Sequence, residues 1–139
     1  MTTERPTAIS KALTRNDTGE TGGHQAGILI PKDAAILSFF PSLDQAVKNP
    51  RHLLRFADPS ENVWHFAFIH YNNRLFGGTR NEYRLTCMTS FLRSANLKAG
   101  DVLTLNRDGH RYRISYRRTN DASTNERIKL GTSWRVVQI

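Results

Sequence analysis

The sequence predicts a mainly β fold, a sandwich or closed barrel of short strands with two short helices plugging its ends. Three observations carry this. Roughly seven or eight short apolar runs follow one another closely, bounded by turn signals such as D-P-S-E-N, N-N-R and R-D-G-H. Several of these runs alternate polar and apolar residues with the period of two that a half-buried strand requires. Helical patterns are too few and too short to alternate with the strands, as a parallel β-α-β sheet would need.

In chain order, residues 1–7 read as a flexible tail and residues 8–139 as one domain. Ala8 to Thr14 is a first strand with Ile9 and Leu13 inward. A long polar loop follows from Arg15 and feeds a second strand, Gly27 to Ile30, stopped by Pro31. Lys32 to Phe40 reads as a short helix with a broad apolar face, ended by Pro41. After a loop over 42–50, Arg51 to Ala57 is a strand. Val63 to Tyr71 has the aromatic and β-branched content of a buried one. Arg80 to Cys87 alternates cleanly: Tyr83, Leu85 and Cys87 on one face, Arg80, Glu82 and Arg84 on the other. Thr89 to Asn96 is the second helix, capped by Thr89 or Ser90. Val102 to Asn106 and Arg111 to Arg118 form a tight hairpin, with Tyr112, Ile114 and Tyr116 inward and Arg111, Arg113 and Arg117 outward. Arg127 to Leu130 and Ser133 to Ile139 supply one or two closing strands.

Composition bounds the function. Twenty basic residues against twelve acidic give a net charge of +8, and the isoelectric point is near 10.3. Arginine outnumbers lysine fifteen to five. Arginine's planar fork matches phosphate oxygens and guanine edges, so this excess points toward nucleic acid more than toward solubility alone. No apolar run approaches the roughly 18–20 residues that span a bilayer, and the start of the chain has no signal-peptide core. The single cysteine, Cys87, cannot form an internal disulfide, so a reducing, cytoplasmic setting is expected.

Catalysis finds no support. Asp58 and Glu61 lack the E-x-K partner of a metal-dependent nuclease and read as a turn. Among the histidines, His65 and His70 lie five apart on one strand and face opposite sides, unlike a metal pair. Cys87 reads as a small buried hydrophobe. No phosphate-binding P-loop is present. Neither metal nor cofactor is expected.

Two polar segments remain. The first is R-N-D-T-G-E-T-G-G-H-Q-A-G-I-L-I-P, Arg15 to Pro31. Its glycines permit close backbone approach to a ligand, although on composition alone a tolerant connector fits it slightly better. The second is N-N-R-L-F-G-G-T-R-N-E-Y-R, Asn72 to Arg84. Arginine pairs with guanine O6 and N7, and glutamate accepts from the cytosine amino group, so Arg80, Glu82 and Arg84 on one strand face carry the chemistry to read G·C pairs. A solvated ion-pair face fits those three equally well.

These two segments resemble the N-terminal effector domain of EcoRII-type (type IIE) restriction endonucleases, whose pattern is close to N-D-T-G-x-T-G-G-H-Q-x-G followed by F-G-x-T-R-N-E-x-R. The match runs from about residue 8 to the C-terminus. The stretch L-K-A-G-D-V-L-T-L-N-R-D-G-H-R-Y-R-I and the step at Ile30–Lys32 also resemble the plant B-three transcription-factor domain. The resemblance implies a seven-stranded B-three-like pseudobarrel with two short helices that grips double-stranded DNA by its major groove with two arms. It implies base contacts by His24, Arg80, Glu82 and Arg84. Arg15, Asn16, Asp17, Gln25, Asn81 and Tyr83 would shape the arms or touch phosphates, with Lys11, Lys32 and Arg74 as phosphate contacts. The family target is CC(A/T)GG, so a related G·C-flanked site is expected. The family also implies a nuclease domain in a parent protein, a monomeric isolated domain and a prokaryotic cytoplasm; the alternative is a stand-alone B-three-like transcriptional regulator. Where the family carries Lys, Lys and Tyr, this chain has Gly78, Tyr83 and Leu29. The loss of two cations should weaken DNA contacts unless Tyr83 substitutes.

Overall fold

The computed structural model describes residues 6–20, 27–119 and 133–137. Among the described residues, eight strands form one sheet: β1 (Ala8–Ala12), β2 (Ile28–Ile30), β3 (Arg51–Ala57), β4 (Val63–Tyr71), β5 (Glu82–Thr86), β6 (Val102–Asp108), β7 (Arg111–Arg117) and β8 (Arg135–Val136). Their order is β2-β5-β4-β3-β7-β6-β1-β8. Neighbours pair antiparallel, except β3 and β7, which run parallel at Phe56–Tyr112 and Ala57–Arg113. The sheet curls until its ends meet. Trp134, just before β8, donates its indole N–H to the Leu29 carbonyl in β2 at 3.1 Å. This contact brings the two edge strands together without a continuous ladder, which is what makes the barrel a pseudobarrel. No helix among the described residues is long and apolar enough to cross a membrane.

The interior is filled by inward side chains from nearly every strand, among them Ile9, Ile28, Phe56, Phe66, Leu85, Leu103, Leu105 and Ile114. Aromatic rings dominate: Phe40 stacks on Phe68 with centroids 4.3 Å apart, and Phe91 meets Trp64 edge-on at 5.4 Å. The helices α2 (Ala34–Leu37) and α3 (Thr89–Ser94) add Ile36 and the pair Phe91 and Leu92 to this core. Asp33 caps α2, accepting from the Ala35 and Ile36 amides. The expected helix over 32–40 is thus a single turn, with Phe39 and Phe40 buried in the irregular backbone beyond it.

Several expectations hold. Ile9 and Leu13 are buried, as is Ile114, while Arg111, Arg113 and Arg117 are exposed. The β6–β7 hairpin turns at Gly109, where φ is +64°. Asp58 is a turn residue: its carboxylate accepts from the Ser60 and Asn62 amides and from the Trp64 indole at 2.8, 2.9 and 3.0 Å.

Others are corrected. Cys87 is exposed rather than buried. The chain leaves β5 at Thr86, and Cys87 takes a φ of +67°, so the alternation that would have turned it inward has ended. The N-cap of α3 is the buried Met88, one residue earlier than expected, so Thr89 and Ser90 lie inside the helix and no side chain caps it. The polar loop after Arg15 contains a helical turn, α1 (Arg15–Thr18). Thr14 and Asp17 form a reciprocal capping box: the Thr14 hydroxyl accepts from the Asp17 amide at 3.0 Å, and the Asp17 carboxylate accepts from the Thr14 amide at 2.9 Å. Gly19 ends the turn in the left-handed region, φ +85°. The expected strand over 127–130 lies outside the described residues.

Candidate functional site

Strands β2 and β5 lie side by side at one end of the sheet, with Leu29 directly opposite Arg84. Arg80, Glu82 and Arg84 project together from β5 and the residues before it. The Glu82 carboxylate sits between the two guanidiniums. Its Oε2 accepts from Arg80 Nε and Nη2 at 3.0 and 2.7 Å and from Arg84 Nε at 2.8 Å. Arg84 is also anchored across the strand, donating from Nη1 to the Gly27 carbonyl at 3.0 Å. Arg80 lies over the Tyr71 ring, its Cζ 3.8 Å from the centroid. Arg80 therefore commits its Nε–Nη2 edge to Glu82, and the end carrying Nη1 points away from that carboxylate.

Burial is the largest single influence on the Glu82 carboxyl and pushes its pKa up. Hydrogen bonds from Arg84 and Arg80, with their charges, outweigh it, so the group titrates below its ordinary value of 4.5. At neutral pH the row is cation, anion, cation, as the sequence alternation implies.

Behind this row lies a support that the sequence reading missed. His70 is buried on β4, with Nδ1 2.6 Å from Gln45 Oε1 and Nε2 2.8 Å from Asn81 Oδ1. Its ring stacks on Tyr83 at 4.0 Å with planes 7° apart, and Tyr83 in turn stacks on Phe68. Asn81 and Tyr83 thus face inward between the outward Arg80, Glu82 and Arg84. His65, by contrast, is exposed. No local motif could have revealed the support, because its contacts join residues 11 and 25 positions apart.

The other expected site residues divide. Arg15 and Asn16 are exposed on α1, and Arg74 is exposed on the single 3-10 turn Asn73–Phe76. Lys32 is exposed and donates to the Asn81 carbonyl at 3.1 Å, tying the chain before α2 to the residues before β5. Lys11 departs from expectation. It is buried and paired with the buried Asp17, so its ammonium braces α1 from inside rather than facing a phosphate. Asp17 likewise serves the capping box. Tyr83 does not replace a lost cation on the outer face, since its ring is held by His70 and Phe68. At Gly78 an added Cβ would lie 3.0 Å from Asn73 Cβ, so a longer side chain there needs the turn to shift. His24 and Gln25 lie outside the described residues.

A cleft of about 380 Å³ is lined by Asp17 and Gly27 on one side and by Tyr71, Arg80, Thr86 and Cys87 on the other. Among the described residues, no group of three His, Cys, Asp or Glu side chains is placed to hold a metal ion.

Among the described residues, an eight-stranded, mainly antiparallel sheet with a few short helices, its two edge strands linked through Trp134 and Leu29, is a B-three-like pseudobarrel; the expected seven strands are joined by the two-residue β8. A chain of the Arabidopsis FUS3–DNA complex shares this fold, with a TM-score of 0.62 and 22% identity over 80% of this chain and 96% of its own. Residues 3–116 match the family described as restriction endonuclease EcoRII, N-terminal, and the chain belongs to that family. It is 39% identical over 101 residues to the type II restriction enzyme EcoRII of Escherichia coli, an alignment covering 68% of this chain. The chain spans about a quarter of that relative, 24% of its length.

Proposed function

We propose that this chain is a sequence-specific double-stranded DNA-binding domain, the effector or specificity module of a type IIE restriction endonuclease, working on DNA in a prokaryotic cytoplasm. It enters the major groove with two arms and reads CC(A/T)GG or a related G·C-flanked site. The nuclease chemistry belongs to a separate domain of the parent protein. The observation that carries this reading is the outward row Arg80–Glu82–Arg84, in which one carboxylate holds two guanidiniums in register. Two donors flanking an acceptor suit guanine O6 and N7 and the cytosine amino group. Arg80, with its Nη1 end turned away from Glu82, is the leading guanine reader; Arg84, tied to Gly27, links the arms as well as reading. His24 is assigned to base contact on the opposite arm. Arg15, Asn16, Arg74 and Lys32 are assigned to phosphates.

Selection of binding sites from random duplexes, followed by competition with CC(A/T)GG, tests this. The expected result is enrichment of a G·C-flanked site, with affinity falling steeply with salt as counterions are released. No enrichment, or a flat salt dependence, would refute it. With magnesium present the chain alone should leave the selected duplex intact; robust cutting would overturn the non-catalytic assignment.

A further inference from the structure

The 3-10 turn Asn73–Phe76 carries two adjacent large apolar side chains into solvent: Leu75 is 63% exposed and Phe76 46%. Single exposed apolar residues need no explanation, but two together at a projecting tip do. The tip is also built to hold its shape. The Arg74 amide donates to the Arg80 carbonyl at 2.9 Å, the Leu75 amide to the Asn72 carbonyl at 2.9 Å, and the Gly78 amide to the Asn73 carbonyl at 2.8 Å. Asn72, at its base, is fully buried. Its side chain accepts from the Asn49 amide at 2.7 Å and donates to the Val47 carbonyl at 2.9 Å. A rigid turn therefore presents Leu75 and Phe76 beside two exposed cations, Arg74 and Arg80, on a chain of net charge +8.

That surrounding charge selects a polyanion as the partner, and the apolar feature a duplex offers in its major groove is the thymine methyl group. Resting on the DNA-binding reading above, we infer that Leu75 and Phe76 form an apolar reading tip that packs on thymine methyls beside the base pairs contacted by Arg80. The backbone bond between Arg74 and Arg80 fixes the spacing of tip and reader. The tip thus adds discrimination for A·T pairs to a row suited to G·C pairs, and does so without charge.

The absence of charge makes the idea testable. The full chain is titrated against its selected duplex and against duplexes in which each thymine in turn is replaced by deoxyuridine, which lacks only the methyl. Wild type should lose about fourfold at one or two positions, the scale of burying one methyl group. The variant Leu75→Ser/Phe76→Ser should bind the thymine duplex on the order of tenfold more weakly, with an unchanged salt slope. It should show no further loss on deoxyuridine. Leu53→Ser, at an equally exposed position on β3 (62%), serves as control and should bind as wild type. A wild type indifferent to every methyl would overturn the inference, as would a tip variant that binds normally or loses affinity through a shallower salt slope. In each of those cases the selected site would survive, and the DNA-binding reading with it. Failure to select any site would overturn both.

Discussion

Replacing Glu82 by Gln separates the roles of the outward row more sharply than removing either arginine. Glu82 Oε2 accepts three N–H bonds, at 3.0, 2.7 and 2.8 Å. The Arg80, Glu82 and Arg84 side chains are 41, 28 and 20% exposed, so water screens both ion pairs. Screened pairs contribute on the order of 0.2–1 kcal/mol each, so E82Q should cost about 1 kcal/mol of stability. For a domain of this size that is a fall of roughly 3–6 °C in Tm. The effect on recognition should be larger. Without the carboxylate charge, two like charges are left side by side, and the one carbonyl oxygen of glutamine cannot both anchor the guanidiniums and accept from a cytosine amino group, since its other terminal atom is now a donor. A loss of about 1–3 kcal/mol, roughly 5- to 150-fold, is expected on the selected duplex. Random duplex should bind equally well or more tightly, because the net charge of +8 rises by one. Fluorescence anisotropy on selected and scrambled duplexes across a salt series measures both. Equal weakening on the two duplexes would refute the reasoning, reducing Glu82 to a structural ion pair. So would a stability loss large enough to account for the affinity change.

Lys11→Ala should remove about 3–5 kcal/mol of stability by leaving the buried Asp17 carboxylate unpaired, yet leave the salt slope of DNA binding unchanged; a shallower slope in a still-folded variant would return Lys11 to the phosphate contacts. Gly27→Ala places a Cβ 2.4 Å from the Leu85 carbonyl oxygen and 2.8 Å from Thr86 Cα, at a φ of +89°. It should cost about 2–6 kcal/mol from overpacking and backbone strain, and chemical denaturation showing wild-type stability would refute the close packing of Gly27 on β5. The pH dependence follows from two carboxyls held below their ordinary values. Asp58 is lowered chiefly by the Trp64 indole hydrogen bond, from 3.8. Glu82 is lowered from 4.5 because its arginine contacts outweigh burial. A depressed folded-state pKa contributes stability that is present above the unfolded-state value and lost as pH falls through the folded-state value. Unfolding monitored downward from pH 5 should therefore show stability falling through and below the ordinary carboxylate range, less steeply in E82Q. Identical acid profiles for E82Q and wild type would contradict the assigned cause.

Much of this was legible in the chain itself. Period-two alternation placed Arg80, Glu82 and Arg84 on one face because a strand turns successive side chains to opposite sides whatever its neighbours. The same rule placed Tyr112, Ile114 and Tyr116 inward and set His65 and His70 on opposite faces. The T-R-N-D of the Thr14–Asp17 capping box was also readable, since Ser/Thr followed three residues later by an acid is a local signal, yet the glycines after it made the stretch look like plain loop. Cys87 failed for the opposite reason. Alternation was carried one residue past the point where the backbone changes hand.

The sequence by itself determined the local terms: the run of short strands, the basic excess, the alternating charged face and the two family motifs. These are short-range properties, set by side-chain period and composition. Only the tertiary structure decided which groups serve which purpose. It buried Lys11 against Asp17, turned Asn81 and Tyr83 onto His70, placed Gly27 within reach of Arg84, and stood Leu75 and Phe76 out beside Arg80. Those outcomes depend on contacts between residues far apart in the chain, whose register is set by how the whole barrel closes rather than by any stretch within it.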